Sequence, residues 1–342
     1  MTRTRIALLG LGMAVTPHAR GLMELADTVE VTHAFSPSEA RRRAFAEKFP
    51  FPLCDRLETI LADESVEAVA VLSPANTHRD IAIRCAQAGK HVLMEKPLEI
   101  TTARAEELVA GCRAAGVKLG VVLQHRFRPA AMKLAELLRA GDLGAIVGCS
   151  TVIRLWRPQA YYDEPGRGTF ARDGGGVLIS QGIHTLDLML SLAGPVDQVA
   201  GFATTTPVHR METEDLVCAA ARFANGAIGT IDATTAAFPG FPEEIILTCE
   251  KGTARLAGAE LLVQCHDGRR FAIEPDRPVG GTGADPMAFP HDWHRAVMAD
   301  FVQAIRTDRE PKVTGDEALK VHRLIDALIE TGRTGAPVEV AR

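Results

Sequence analysis

The chain has 342 residues, enough for about two domains at roughly 150 residues each. It is 46% hydrophobic, so it can bury sizeable cores, and 24% charged, near the globular average of about 25%. A formal net charge of −5 without a long basic run argues against a nucleic-acid partner, and the apolar runs fall short of the roughly 18 residues that suggest a membrane span.

The amino terminus, Met1-Thr2-Arg3-Thr4-Arg5, leads into Ile6–Leu9 and stops at Gly10, too short for a signal-peptide core. Seven scattered cysteines without a Cys-x-x-Cys pair suit a reducing, cytoplasmic setting, with neither a disulfide framework nor a structural zinc.

In chain order, Ile6–Leu9, Val29–Phe35, Ala68–Leu72, Val92–Met94 and Leu119–Leu123 read as strands. Helical patterns lie between them at Glu39–Lys48, Leu57–Ala62, His78–Ala88 and Ala103–Ala115. Asp55 suits a cap for the second helix, and Thr101 gives half of a capping box for the fourth. Gly89 and Gly116 stand where helices end. Strand–helix alternation of this kind makes βαβ units and a mostly parallel sheet. Arg128–Ala140 is a further helix.

After Gly144 the rhythm changes. Ile146–Leu155, Gln198–Thr204, Leu216–Phe223, Ala227–Ala233, Glu244–Glu250, Thr253–Leu256, Leu261–Cys265 and Arg270–Ile273 follow as strands, with turn signals at Asn225-Gly226 and Asp267-Gly268. One long helix, Gly176–Leu192, is embedded early. Gly280–Gly283 reads as a loop, and Trp293–Arg306 and Asp316–Glu330 as closing helices. The expected fold is α/β: a dinucleotide-binding domain over 1–125 and an α+β domain with a mostly antiparallel sheet over 126–342, whose last helices can pack back on the first domain.

Gly10-Leu11-Gly12-Met13 follows the first strand and precedes a helix. The two glycines suit a tight turn and close approach of a pyrophosphate to a helix N-terminus. The third glycine position holds Val15. No acid stands near Ser36 at the end of the second strand, and Arg41, Arg42 and Arg43 follow. An NAD-selective site favours an acid there, so the pattern tilts toward NADP, with Ser36 and Arg41 as contacts. Ser73-Pro74-Ala75-Asn76-Thr77-His78 follows another strand end, where Asn76 or Thr77 equally suits an N-cap.

Val92-Leu93-Met94 delivers Glu95, Lys96 and Pro97 to a strand's carboxyl end, where open α/β sheets bind ligands. Gly174-Gly175-Gly176 opens the helix that carries Ser180, His184 and Asp187, whose spacings of four and three share one face. His184 exchanges protons near neutral pH, and Asp187 is placed to orient it. No Gly-x-Ser-x-Gly elbow surrounds Ser180, which argues against a hydrolase triad. His291-Asp292-Trp293-His294 has no second ligand cluster at metal-site spacing, so no metal is expected.

These motifs coincide in order: Gly10-x-Gly12, Ser73-Pro74-x-Asn76-x-His78, Glu95-Lys96-Pro97, Gly174-Gly175-Gly176…Ser180…His184, and a late Asp300-Phe301 helix. The chain resembles the Gfo/Idh/MocA oxidoreductases over essentially its whole length. The resemblance implies an N-terminal Rossmann domain and a C-terminal α+β domain with a large open sheet, often used for homodimers or homotetramers. It implies an NAD or NADP cofactor, a sugar, cyclitol or nucleotide-sugar substrate, and a cis Lys96–Pro97 bond. Many members carry Asp where Ser180 stands, so proton handling falls to Lys96 and His184. Tyr161-Tyr162…Gly166-Arg167-Gly168 is similar to the nucleotide-sugar uronate 3-dehydrogenase branch.

The implied cofactor contacts are Gly10, Gly12, Met13, Ser36, Arg41, Ser73, Asn76, His78, Glu95, Lys96 and Arg126. Lys96 would stabilise alkoxide charge and His184 would move the hydroxyl proton. Arg154, Trp156, Arg157, Tyr161, Tyr162 and Arg167 join Lys96, Ser180 and His184 as substrate candidates. A dehydrogenase of a non-sugar diol and a non-catalytic cofactor-sensing regulator are the alternatives.

Overall fold

A computed structural model describes residues 3–275 and 290–342. The glycine loop expected at Gly280–Gly283 lies outside these residues. The chain divides into two compact units: residues up to Gln124 with Pro290–Leu319, and residues from His125 with Lys320–Arg342.

The first unit holds a six-stranded parallel sheet. Its strands are β1 (Thr4–Leu9), β2 (Val29–Phe35), β3 (Leu53–Cys54), β4 (Ala68–Val71), β5 (His91–Met94) and β6 (Leu119–Val121), in the order β3-β2-β1-β4-β5-β6. Ile6–Leu9, Ala68–Val71 and Val92–Met94 are buried throughout, as strands covered on both faces must be. The crossovers carry α1 (Val15–Glu24), α2 (Glu39–Ala46), α3 (Leu57–Ala62), α4 (His78–Gln87) and α5 (Thr102–Ala114). Gly89 and Gly116 close α4 and α5 at positive φ, and the Thr101 side chain accepts from the Arg104 amide. Arg56, not Asp55, precedes α3, and no side chain caps it. The helix Asp292–Arg306 belongs to this unit and packs on α1, with Arg295 close to Gly21.

The second unit is built on a nine-stranded sheet. Its strands are β7 (Ile146–Arg154), β8 (Val196–Thr204), β9 (Leu216–Phe223), β10 (Ile228–Thr234), β11 (Glu244–Cys249), β12 (Gly252–Ala257), β13 (Glu260–Cys265), β14 (Arg270–Ile273) and β15 (Val338–Glu339). The order is β14-β13-β12-β11-β7-β10-β9-β8-β15. β7 and β10 pair in parallel and every other neighbour pair is antiparallel. The alternation in β9, where Val217, Ala219, Ala221 and Phe223 are buried, leaves one sheet face covered and one open.

Helices α6 (Pro129–Arg139), α7 (Gln159–Tyr162), α8 (Phe170–Asp173) and α9 (Ile183–Ala193) belong to this unit; α10 (Asp292–Arg306) is the helix already placed in the first, and α11 (Gly315–Thr334) is the last helix, followed by β15. The continuous helix expected over Gly176–Leu192 instead starts as a π-helical turn at Leu178–Gly182 and continues as α9. The stretch Phe170–Ala193 passes the length and hydropathy test for a membrane span that shorter apolar runs fail. Its best window is 78% buried within the protein, which makes it a core segment.

Candidate active site

The Gly10 φ is +111°, and a Cβ there would lie 2.7 Å from the Leu72 carbonyl, so only glycine fits between β1 and the chain leaving β4. A Cβ at Gly12 would meet nothing within 4 Å. One glycine is thus required by the fold, and the other leaves open space before α1, as a pyrophosphate-binding turn needs. Met13 beside it is exposed, while Val15 is buried in the position where a small residue was expected.

At the end of β2, Ser36 is buried and its hydroxyl accepts from the Ser38 amide. Ser38 caps α2 through the Arg41 amide. The arginine that turns back to this strand end is Arg42, which donates to the Ser36 carbonyl at 2.6 Å, while Arg41 is exposed.

Two loops meet at the end of β4 and β5. The His78 ring bridges them, with Nε2 2.8 Å from the Ser73 carbonyl and Nδ1 2.9 Å from the Pro97 carbonyl. Burial pushes its pKa down, against the two carbonyls and the charges of Glu95 and Glu99. His78 is therefore a buried tie between loops. Ser73 Oγ lies 2.7 Å from Thr77 Oγ1, and Asn76 is exposed. Neither side chain caps α4.

Glu95 is buried, and its carboxylate accepts from His18 Nε2 at 2.9 Å and from the Lys96 amide at 2.8 Å. Burial alone would raise its pKa, yet the His18 hydrogen bond, helped by the nearby Lys96 charge, holds it down at about 2. His294 from α10 packs edge-on to His18, with centroids 5.0 Å apart, and burial pushes its pKa down to about 3. The donor atoms of His18, Glu95 and His294 lie within 4.8 Å of one another. His294 thus gains partners from α1 and β5 that local spacing could not reveal. Because both Glu95 oxygens are already engaged, the cluster works as an anchor for the turn that carries Lys96. The Lys96–Pro97 bond is cis.

In the second unit, Glu214 holds the start of the polar helix. It is buried, and it accepts from the Gly176 amide at 3.0 Å and the Leu178 amide at 3.1 Å. Burial pushes its pKa up, against those bonds. A Cβ on Gly176 would fall 1.7 Å from the Glu214 carbonyl oxygen, so the third glycine is a packing requirement. Ser180 and His184 are half-buried, and Ser180 Oγ lies 3.5 Å from the Gly175 carbonyl.

Asp187 was expected to orient His184. Instead it is fully buried and accepts a bidentate pair from Arg126, at 2.8 and 2.6 Å. One ion pair thereby ties together two predicted site residues, Arg126 and Asp187. His184 stacks on His125, with centroids 4.9 Å apart and planes at 30°. His125 in turn accepts from Arg128.

Among the substrate candidates, Tyr162 is buried with its hydroxyl 2.7 Å from Thr235. Arg167 lies over the Tyr161 ring at 4.6 Å and pairs with Glu164. Gln181, beside Ser180, donates to the Tyr161 hydroxyl at 3.2 Å. Trp156 packs against Phe238 and His209, and the Arg157 carbonyl lies 2.8 Å from His209 Nε2. Arg154 is not part of this group: strand alternation puts it on the open sheet face, paired with Asp232, opposite the face of Ile153 that Gly182 approaches. Sequence reading missed His18, Glu214, His125 and Arg128; His18, Glu214 and His125 meet partners distant in sequence, and Arg128 joins His125, three residues away, to the Gly258 carbonyl.

Residues 4–123 match the oxidoreductase family with an NAD-binding Rossmann fold, and residues 131–255 match the Gfo/Idh/MocA C-terminal domain. The chain is 30% identical to D-xylose 1-dehydrogenase (NADP(+)) 2 of Haloferax volcanii, covering 89% of this chain and 90% of that one. It is 29% identical to myo-inositol 2-dehydrogenase of Thermotoga maritima, over 92% and 91%. Among solved structures, the WlbA dehydrogenase of Bordetella pertussis, in complex with NADH and UDP-GlcNAcA, superposes with a TM-score of 0.85 at 28% identity, covering 100% of both chains.

Proposed function

The chain belongs to the Gfo/Idh/MocA family of NAD(P)-dependent oxidoreductases, and from that premise we propose that it moves hydride between the nicotinamide and a carbinol or carbonyl carbon of a sugar, cyclitol or nucleotide-sugar derivative. The observation that carries the reading is the anchored Lys96 turn, in which the buried Glu95 carboxylate fixes the Lys96 amide. The open space at Gly12 and the glycine-only turn at Gly10 fit a dinucleotide. Ser73 and Asn76 at the end of β4 are further candidate contacts. The cofactor, when bound, supplies the hydride acceptor or donor.

Lys96 donates a hydrogen bond to the reacting oxygen and stabilises its developing negative charge. His184 takes or gives the hydroxyl proton, a contribution of about 10²–10⁴-fold when well placed. Tyr161, Tyr162, Arg167 and Ser180 shape the substrate side, and the Arg167 guanidinium suits a carboxylate or phosphate. NADP is favoured because β2 ends in Phe35-Ser36 without an acid at that strand end, and Arg41 is exposed at the first turn of α2. The Haloferax relative is named for NADP and the Bordetella structure holds NADH, so both forms belong in the assay. The open face of the sheet, with Phe202 and Ile228 exposed, is the proposed surface for a homodimer or homotetramer. Seven free cysteines support a reducing, cytoplasmic setting.

The test is NADP+ and NAD+ reduction against a panel of aldoses, inositols and UDP-linked uronates, followed by single-turnover hydride transfer in Lys96→Met and His184→Ala. Both variants are expected to lose at least tenfold in rate under saturating cofactor. Wild-type rates in both would refute the assignment.

A further inference from the structure

Next to His184 lies a second histidine, His125, whose ring nitrogen faces a guanidinium. His125 Nε2 is the hydrogen-bond partner of the Arg128 guanidinium. A guanidinium offers five N–H donors and no acceptor. The ring nitrogen facing it must therefore accept, which leaves the His125 proton on Nδ1 and the ring neutral. Protonating Nε2 would set an N–H against an N–H and a positive charge against a buried one.

Arg128 cannot turn away freely. It is 5% exposed, it donates to the Gly258 carbonyl at 3.0 Å, and the Glu243 carboxylate lies 3.9 Å from it. Burial works against its charge, and Glu243 works for it. Two charged groups on this segment and on α9, Arg126 and Asp187, are bound to each other. The His125 ring then lies nearly parallel to His184, within the distance of an offset stack.

We infer that His125 is a positioning residue for His184: a ring held neutral by Arg128, which fixes the plane of His184 and leaves that residue as the titrating member of the pair. The inference rests on the reading of His184 as the proton-transfer group. If both rings titrated, each would oppose the other's charge, and a proton could settle on the ring that does no chemistry. A neutral π-face beside His184 instead tolerates, and weakly favours, its charged form.

The experiment uses the whole chain with ¹⁵N-labelled histidine rings, read by long-range proton–nitrogen correlation across pH 5–9. In the wild type His125 is expected to keep one protonated and one bare nitrogen throughout, while His184 titrates. Arg128→Leu should release His125, so that a second ring titrates. His125→Gln keeps an acceptor for Arg128 but removes the ring. The His184 midpoint should then fall by up to about one unit, from the size of a cation–π contact at 1.36 kcal/mol per unit.

Should Arg128→Leu fail to fold, Arg128→Lys keeps a donor and should leave His125 locked, while His125→Gln still reports on the stack. A wild-type His125 that titrates near neutral pH overturns the inference. So does a His184 titration unchanged in His125→Gln. These spectra need no substrate, so loss of the His184 assignment in turnover assays would appear separately, as wild-type rates in His184→Ala.

Discussion

Replacing Glu95 by glutamine tests whether its charge, and not only its shape, holds the Lys96 turn. The carboxyl pKa is held at about 2 against an ordinary 4.5, with burial opposing the shift and the His18 contact leading the groups that produce it. At 1.36 kcal/mol per unit, 2.5 units correspond to about 3.4 kcal/mol. The folded-state pKa is depressed, so this contribution is complete above the unfolded-state pKa of about 4.5 and is lost as pH falls through about 2. The same linkage leaves about 1.4 kcal/mol at pH 3. The amide oxygen introduced by Glu95→Gln would still accept from the Lys96 amide, so the loss would isolate the ionic part.

The assay is urea unfolding at several pH values. The chain has two tryptophans, and in a Trp156→Phe background Trp293 reports on the first unit alone. The gap between wild type and Glu95→Gln should narrow from about 3 kcal/mol at pH 7 to about half that at pH 3. A gap that is the same at both pH values, or no gap, would refute the electrostatic account. Turnover should also fall, because the Lys96 turn loses its anchor while the dinucleotide loop at Gly10 is untouched.

Gly10→Ala forces a side chain onto φ +111° and into the Leu72 carbonyl, and should weaken NADPH binding about 10–100-fold in a fluorescence titration. Gly12→Ala meets open space, so it should keep wild-type stability and still lose cofactor affinity. Gly176→Ala places a Cβ 1.7 Å from the Glu214 carbonyl, and should cost roughly 3 kcal/mol or more by chemical denaturation, since the backbone must shift. Breaking the buried pair with Arg126→Met or Asp187→Asn should each cost about 3–5 kcal/mol, and the double variant should recover much of it in a double-mutant cycle.

The parallel sheet was legible because buried strands are continuous apolar runs and because Gly89 and Gly116 mark helix ends by a backbone requirement that few other residues meet. β3 was not, since two residues carry no period, and β15 pairs only through β8 far up the chain. Local motifs pointed to Gly10, Lys96 and His184 as candidates. They could not give His18, Glu214 or His125, because each meets its partner across 77, 38 and 59 residues respectively. Arg154 is separated from the other candidates for a related reason: its strand neighbour Ile153 faces the core, and alternation sends Arg154 to the other side.

The polar helix shows how the fold redistributed charges that the sequence placed together. Equal faces at spacings of four and three presume an α-helix, but the π-helical turn at Leu178–Gly182 lies between Gly176 and His184. Asp187 gives its carboxylate to Arg126, and the acid at the start of the helix comes from Glu214, on a distant loop. Ser180 sits 3.5 Å from the Gly175 carbonyl, where a carboxylate would face an oxygen whose neighbouring amides Glu214 already occupies. The serine suits this backbone, and on the proposed reading proton handling rests with His184 rather than with an acid at position 180.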